Sequence, residues 1–254
     1  MQVHAFVLHL TRAEARRDNA LTLLNECGLD AEIWPAVDGG AMSSKDLTAT
    51  VGADLFEPPY PFALKTGEIG CFLSHRQIWA ELQMREADAA LIIEDDAAID
   101  PDHFDDAVDL ATANIGALGY IQFQTQPAKG PQHLIDSSGA CRLVVPELGG
   151  LRTTAQMVSK WAAAHLLSLS EPFDRPVDTF VQSHWHTGLR PAAIYPSGIS
   201  DVADSLDGST IQSGDKPVLE KLTRELLQRP RYRSAVNRLS RASAAPAQGG
   251  LADV

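Results

Sequence analysis

Leu91-Ile92-Ile93-Glu94-Asp95-Asp96 is the stretch that decides the fold. The apolar run from Ala89 to Ile93 reads as a buried central strand. Three carboxylates then arrive together at its C-terminal end. In open α/β sheets, ligands bind at the carboxyl ends of the strands. Three like charges packed there are unfavourable unless a cation or a ribose hydroxyl engages them. Carboxylate oxygens suit a hard cation, Mg2+ or Mn2+, and such a cation suits a diphosphate. The alternative is a solvated acidic loop in which Asp95 or Asp96 caps the next helix. An EF-hand does not fit, because Asp96, Asp100 and Asp102 lack that loop's glycine and terminal glutamate. A helical diphosphate motif does not fit after a strand.

The pattern around this stretch is α/β. Residues 3–10 read as a buried strand, and residues 13–27 as a helix closed by Gly28 in the C-cap position. Residues 31–37 make a second strand running into the turn Asp38-Gly39-Gly40. This strand–helix–strand opening favours a layered α/β domain. Residues 41–65 read as a long irregular loop containing Pro58, Pro59 and Pro61. Thr66 is placed to N-cap a helix from Gly67 to about Asp88. A helix from Pro101 to Ala113 and strands at 118–124, 141–145, 153–158 and 192–195 follow. Further helices are expected at 161–169 and from Pro176 to Leu189.

The chain has 254 residues, 44% hydrophobic and 21% charged, which suits a folded domain rather than a disordered or disulfide-knotted chain. Its net charge of −12 is unevenly spread. Residues 1–215 carry −17, whereas residues 216–241 carry +6. The acidic body argues against nucleic acid as a partner. The organisation expected is a domain over 1–215, a basic helical extension over 216–241 broken near Pro230, and a low-complexity, disordered tail over 242–254. Cys27, Cys71 and Cys141 form no CxxC pair and read as free thiols in a reducing compartment. No stretch approaches the roughly 18 apolar residues of a membrane span. A cytoplasmic protein is expected, with the basic segment available to an anionic inner membrane face or to the acidic body itself.

The helix before the acidic strand carries a second signal, Thr66-Gly67-Glu68-Ile69-Gly70-Cys71-Phe72-Leu73-Ser74-His75. Glu68 and His75 are seven apart and share one stripe with Phe72, Trp79 and Leu82. Polar groups inside an apolar stripe must be paired or used. Two readings stand for each: Glu68 as a site residue or as a complement to the helix N-terminus, and His75 as a site residue or a satisfied core histidine.

Together these segments resemble glycosyltransferase family 25, the lipopolysaccharide and lipooligosaccharide glycosyltransferases related to collagen galactosyltransferases. Gly67-Glu68-Ile69-Gly70-Cys71 with Ser74-His75, followed by Glu94-Asp95-Asp96, carries the resemblance. Leu10 and Arg12 with Arg16, Ala36-Val37-Asp38-Gly39, Thr154-Ala155 through Ser159, Pro176-Val177-Asp178 and Ser209-Thr210-Ile211 match in order. The likeness covers about residues 3–211. His9, Thr11 and Gln156 depart from the family's usual residues.

The resemblance implies a single GT-A-like, Rossmann-like nucleotide-sugar domain with a mixed central sheet and a C-terminal helical extension. It implies a UDP-sugar donor, usually UDP-galactose, transfer with inversion, and a saccharide or lipid-linked saccharide acceptor. Asp96 and Glu94 would hold Mn2+ or Mg2+. Leu10, Thr11, Arg12, Asp38, Gly39, Glu68, Ser74, His75, Glu94 and Asp95 would contact the donor. Asp178 is the leading candidate for general base and Glu68 the second. Gln156, His184 and His186 fall on the acceptor side. A non-catalytic sugar-nucleotide or glycan-binding protein and a metal-dependent phosphohydrolase are the competing functions.

Overall fold

The computed structural model describes residues 1–206 and 227–252. The main sheet has eight strands: β1 (Val3–His9), β2 (Asp30–Pro35), β3 (Ala89–Glu94), β5 (Tyr120–Phe123), β6 (Gln132–Ser138), β7 (Cys141–Pro146), β8 (Ala155–Ser159) and β10 (Ala192–Tyr195). Their order is β2-β1-β3-β8-β5-β10-β7-β6. β1 runs parallel to β2 and β3, and β10 is parallel to β5, whereas β8 is antiparallel to both its neighbours. The sheet is therefore mixed, and the fold is α/β.

Alternation along the central strands explains why their sequences are apolar throughout. Ala5, Val7, Leu91 and Ile93 point to one face, where they pack with Leu23 of α1 (Arg17–Glu26) and Phe104 of α4 (Pro101–Leu118). Phe6, Leu8, Ala90 and Ile92 point to the other. There they meet Phe72 and Ile78 of α3 (Thr66–Met84), Leu166 of α5 (Lys160–Leu169) and Phe180 of α6 (Val177–Gln182). A strand covered on both faces has no solvent side on which to place polar residues.

Several local expectations are corrected. Residues 44–50 of the expected loop form α2 (Ser44–Thr50), because Ser43 caps it by accepting from Asp46 N. Lys65, not Thr66, is the N-cap of α3, and its N–H donates to Glu68 Oε2 at 2.7 Å. The helix expected from Pro176 to Leu189 is broken at Ser183 into α6 and α7 (His184–Thr187). β9 (Leu189–Arg190) follows α7. A short ladder of β4 (Ala97–Ile99) with β11 (Ile199–Asp201) lies just beyond the acidic strand. It pairs Ala97 with Asp201 and so brings residue 201 beside the carboxylates.

The basic extension is described from residue 227. α8 (Arg229–Ala242) begins beside the expected break and carries Pro230 in its first turn. The domain boundary at 215/216, the Ser209–Ile211 match and residues 216–226 lie outside the described residues. The tail expected to be disordered is ordered through residue 252. β12 (Gly250–Leu251) pairs with β9, and Ala245 is buried. Low complexity did not prevent this, because the body supplies the partners. His184 Nδ1 meets Ser243 Oγ at 2.8 Å, its Nε2 meets Ser240 Oγ at 3.1 Å, and Ser240 Oγ donates to Glu147 O at 2.5 Å.

His184 gives this docking a pH dependence. Burial, with the charge of Arg190 adding to it, pushes its pKa down to about 4 against a slight opposing bond to Glu147 O. Between about 4 and the ordinary 6.5 the unfolded chain binds the proton and the folded chain does not. Stability is therefore full above about 6.5 and is lost as pH falls toward 4, by on the order of 3 kcal/mol from this group. Asp96, whose pKa is raised to about 6, acts in the opposite direction over the same range. The decline should therefore be read as the difference in urea stability between the parent and His184→Gln from pH 7.5 to 5.

Candidate active site

The site is built at the C-terminal ends of β1 and β3. Asp95 N bonds to Leu8 O at 3.1 Å and Glu94 N to Thr154 O at 2.9 Å, so the acidic turn is held between the two neighbouring chain segments. Asp95 is 6% exposed, and both its oxygens are engaged. Oδ2 accepts from Leu10 N at 3.3 Å and lies 2.8 Å from His9 Nδ1, while Oδ1 accepts from Arg16 at 2.9 Å. Asp95 thus anchors the turn from inside, and it also lines the smaller cleft described below. His9, one of the departures from the family pattern, supplies one of these bonds.

Arg16 also donates to Asp96 Oδ2 at 2.9 Å. Three carboxylates against one guanidinium leave two negative charges. Burial, then the neighbouring charge of Glu94, raises the Asp96 pKa to about 6 despite Arg16. On Glu94 burial acts upward too, but His75, Thr153 and Arg16 outweigh it and hold the carboxyl below its usual value. Thr153 Oγ1 donates to Glu94 Oε1 at 2.6 Å. Hard oxygen donors with an unbalanced negative charge are a set that a divalent cation such as Mn2+ or Mg2+ would fit, with Asp96 and Glu94 as the residues that would hold it.

Two clefts meet here. One, about 110 Å³, is lined by Leu10, Arg12, Asp38 and Gly39 together with Glu94 and Asp96. The other, about 480 Å³, is lined by Tyr60, Glu68, Arg152, Asp178 and Asp201. Cys71, Glu94 and Asp96 line both. Asp178 Oδ1 accepts from Thr179 N at 2.6 Å and Oδ2 from Arg152 N at 3.2 Å. Burial raises its pKa above the ordinary carboxylate value against these bonds. Arg152 adopts φ +94°, an uncommon conformation for a residue with a Cβ, and its guanidinium reaches Asp201 Oδ2 at 2.9 Å.

The two glycine motifs pack against each other. A Cβ on Gly39 would lie 1.9 Å from Thr66 O, and one on Gly70 would lie 2.5 Å from Val37 O. Ser74 completes the junction, donating to Gly70 O at 2.7 Å and accepting from Val37 N at 2.8 Å. This close approach of backbone to backbone sets the turn that carries Asp38, whose Oδ2 accepts from Arg12 Nε at 2.7 Å. Gly70→Ala must separate helix from turn. It is expected to lower stability by about 1–3 kcal/mol, the scale of overpacking, measured as a shift of the urea midpoint.

The remaining expected site residues fall in different places. Leu10, Arg12, Asp38, Gly39 and Ser74 line the smaller cleft; Thr11 is exposed and lines neither. Glu68 lines the larger cleft while closing the capping box of α3. His75 is fully buried behind Glu94, 3.6 Å from its Oε1. Gln156 is not on the acceptor side: β8 lies between β3 and β5, so its side chain is fully buried and meets His75 Nδ1 at 3.2 Å. His184 and His186 are also away from both clefts. The first holds the C-terminal segment and the second packs at a tilt on Phe56 with ring centroids 3.7 Å apart.

Sequence reasoning missed Tyr60, Arg152, Thr153 and Asp201. The only local signal was Gly149-Gly150 just before Arg152. Tyr60 reaches the cleft because buried Arg175 donates to Phe56 O at 2.7 Å and Pro58 O at 3.1 Å, pinning the proline-rich loop to the start of α6.

The chain matches the model of glycosyltransferase family 25 (LPS biosynthesis protein) over residues 2–181. It is similar to human procollagen galactosyltransferase 2, with 42% identity over 94 residues, 36% of this chain and 15% of that protein. It is also similar to a bovine protein named probable inactive glycosyltransferase 25 family member 3, with 32% identity over 195 residues, 69% of this chain and 30% of that one. The chain spans between 15% and 41% of the length of the curated relatives it matches. Among solved structures, a glycosyltransferase involved in glycosylation of the major capsid of PBCV-1 aligns with 96% of this chain and 90% of its own at 13% identity and a TM-score of 0.36.

Proposed function

Because the chain belongs to glycosyltransferase family 25, we propose that it transfers galactose from UDP-galactose, with inversion, to a hydroxyl of a saccharide or lipid-linked saccharide used in cell-surface glycan synthesis. The observation that carries this reading is the junction of the two clefts. Asp96 and Glu94 belong to both, and Asp178 lines the larger one.

In this reading the donor lies in the cleft of Arg12 and Asp38, its diphosphate toward the acidic turn. Asp38 offers carboxylate oxygens to hydroxyl groups, and Arg12 offers positive charge to phosphate. The acceptor enters past Tyr60 and Arg152. Asp178 takes the proton of the attacking hydroxyl as the new bond to the anomeric carbon forms and the bond to the diphosphate breaks. Its raised pKa favours that transfer, and the N–H groups of Arg152 and Thr179 fix its direction. Mn2+ or Mg2+ on Asp96 and Glu94 would supply Lewis-acid stabilisation of the leaving diphosphate.

The test is release of UDP from UDP-galactose with and without saccharide acceptors, in Mn2+ and in excess chelator, with the product's anomeric configuration read by NMR. Acceptor-dependent release with an inverted product supports the proposal. UDP binding without turnover would favour a binding module, and acceptor-independent release a hydrolase.

A further inference from the structure

Cys71 and His75 sit one turn apart on α3 and face the end of β3. Cys71 Sγ, His75 Nε2 and a Glu94 oxygen all lie within 4.8 Å of one another. Cys71 Sγ is 3.8 Å and His75 Nε2 is 3.6 Å from the same atom, Glu94 Oε1. Tetrahedral zinc with nitrogen and oxygen ligands near 2.0 Å and sulfur near 2.3 Å separates its ligand atoms by about 3.3–3.6 Å. The two separations to Glu94 are within a few tenths of an ångström of that arrangement, and the third, between Cys71 and His75, is no more than 4.8 Å and closes by side-chain rotation.

A second observation points the same way. His75 is 0% exposed, and its Nε2 has no hydrogen-bond partner. Buried polar atoms without partners are uncommon, and 3.6 Å to Glu94 is too long for a hydrogen bond. The other nitrogen, Nδ1, lies 3.2 Å from the amide of fully buried Gln156, whose Oε1 is itself without a partner. Turning that amide so that Oε1 accepts from Nδ1–H frees Nε2 to give up the proton it holds toward Glu94 when a cation enters, and its lone pair then faces Cys71 and Glu94. A partner on the far nitrogen is how proteins orient a ligating imidazole.

We propose that Cys71, His75 and Glu94 form a three-ligand site for a borderline-soft divalent cation of the zinc class. Thiolate and imidazole select such an ion over Mg2+ and Mn2+. Binding exchanges the Cys71 S–H bond for a sulfur–metal bond and releases the proton to water. The fourth position opens onto the clefts that Cys71 lines, where water or a substrate oxygen completes the coordination. The ion draws Glu94 away from Asp96, so it opposes the hard cation of the proposed transfer reaction. The site itself does not depend on that reaction being correct.

The experiment is Zn2+ titration of the whole reduced chain against a chromophoric chelator, with Co2+ as a spectroscopic probe. One equivalent should bind, and the Co2+ form should show a sulfur-to-metal charge-transfer band. Cys71→Ser and His75→Ala should each lower the affinity more than tenfold. Gln156→Ala should weaken it about 10–100-fold. Cys27→Ser, Cys141→Ser and Asp96→Ala should leave it intact. Zn2+ should also slow alkylation of Cys71 in the unmutated protein, read by mass spectrometry, which needs no variant to fold. No stoichiometric Zn2+ binding, binding that survives Cys71→Ser, or unchanged alkylation of Cys71 would overturn the proposal.

Discussion

Asp96→Ala is expected to reduce sugar transfer at least about 10³-fold, the upper scale for removing one group that stabilises developing charge, while the fold survives. Asp96 shares Arg16 with Asp95, and Asp95 keeps its bonds to Arg16, His9 and Leu10 when Asp96 is gone. Burial beside Glu94 makes the ionised Asp96 an unfavourable neighbour in the folded chain. The variant should therefore unfold at the same urea concentration as the parent or a higher one, which is the pattern of a residue retained for function at the expense of stability. Equilibrium unfolding, UDP-galactose turnover and Mn2+ binding measured on one preparation check this. Full transfer by the parent protein in excess chelator would refute the role of the metal, and an unfolded Asp96→Ala would refute the separation of function from stability.

Asp178→Asn is expected to lower kcat by roughly 10²-fold or more, the scale of a lost general base, with UDP binding nearly unchanged. The base must be ionised to act, so kcat/KM of the parent should rise with pH through a value above the ordinary carboxylate range, in line with the direction in which burial moves Asp178. Measured in saturating Mn2+, which keeps Asp96 ionised, that rise should be absent in the variant. Asn preserves an acceptor for the Thr179 N–H but presents an amide N–H to Arg152 N in place of Oδ2. Some displacement of the segment around Gly149 and Gly150 follows, and the pH profile separates it from loss of the base. A variant with a normal kcat and pH profile but weakened UDP binding would move Asp178 to the donor side.

The sequence by itself determined the layered α/β architecture and the position of the acidic turn. The run from Ala89 to Ile93 is apolar at every position because the strand is covered on both faces, and that property is local. The glycine motifs were also legible, since Gly39 and Gly70 stand where no side chain fits. The tertiary structure decided which side chains meet. Asp95 lines the smaller cleft, and its bonding partners come from residues 9, 10 and 16, which no local pattern links to it. Gln156 was expected on the acceptor side, yet β8 lies antiparallel between β3 and β5 and places it beneath His75. His184 faces Ser243, 59 residues away. Spacing along a chain sets the face on which a side chain lies through the period of its helix or strand. The neighbour across that face is set by strand order and by where loops and the C-terminal segment dock, and these are long-range choices that no local period encodes.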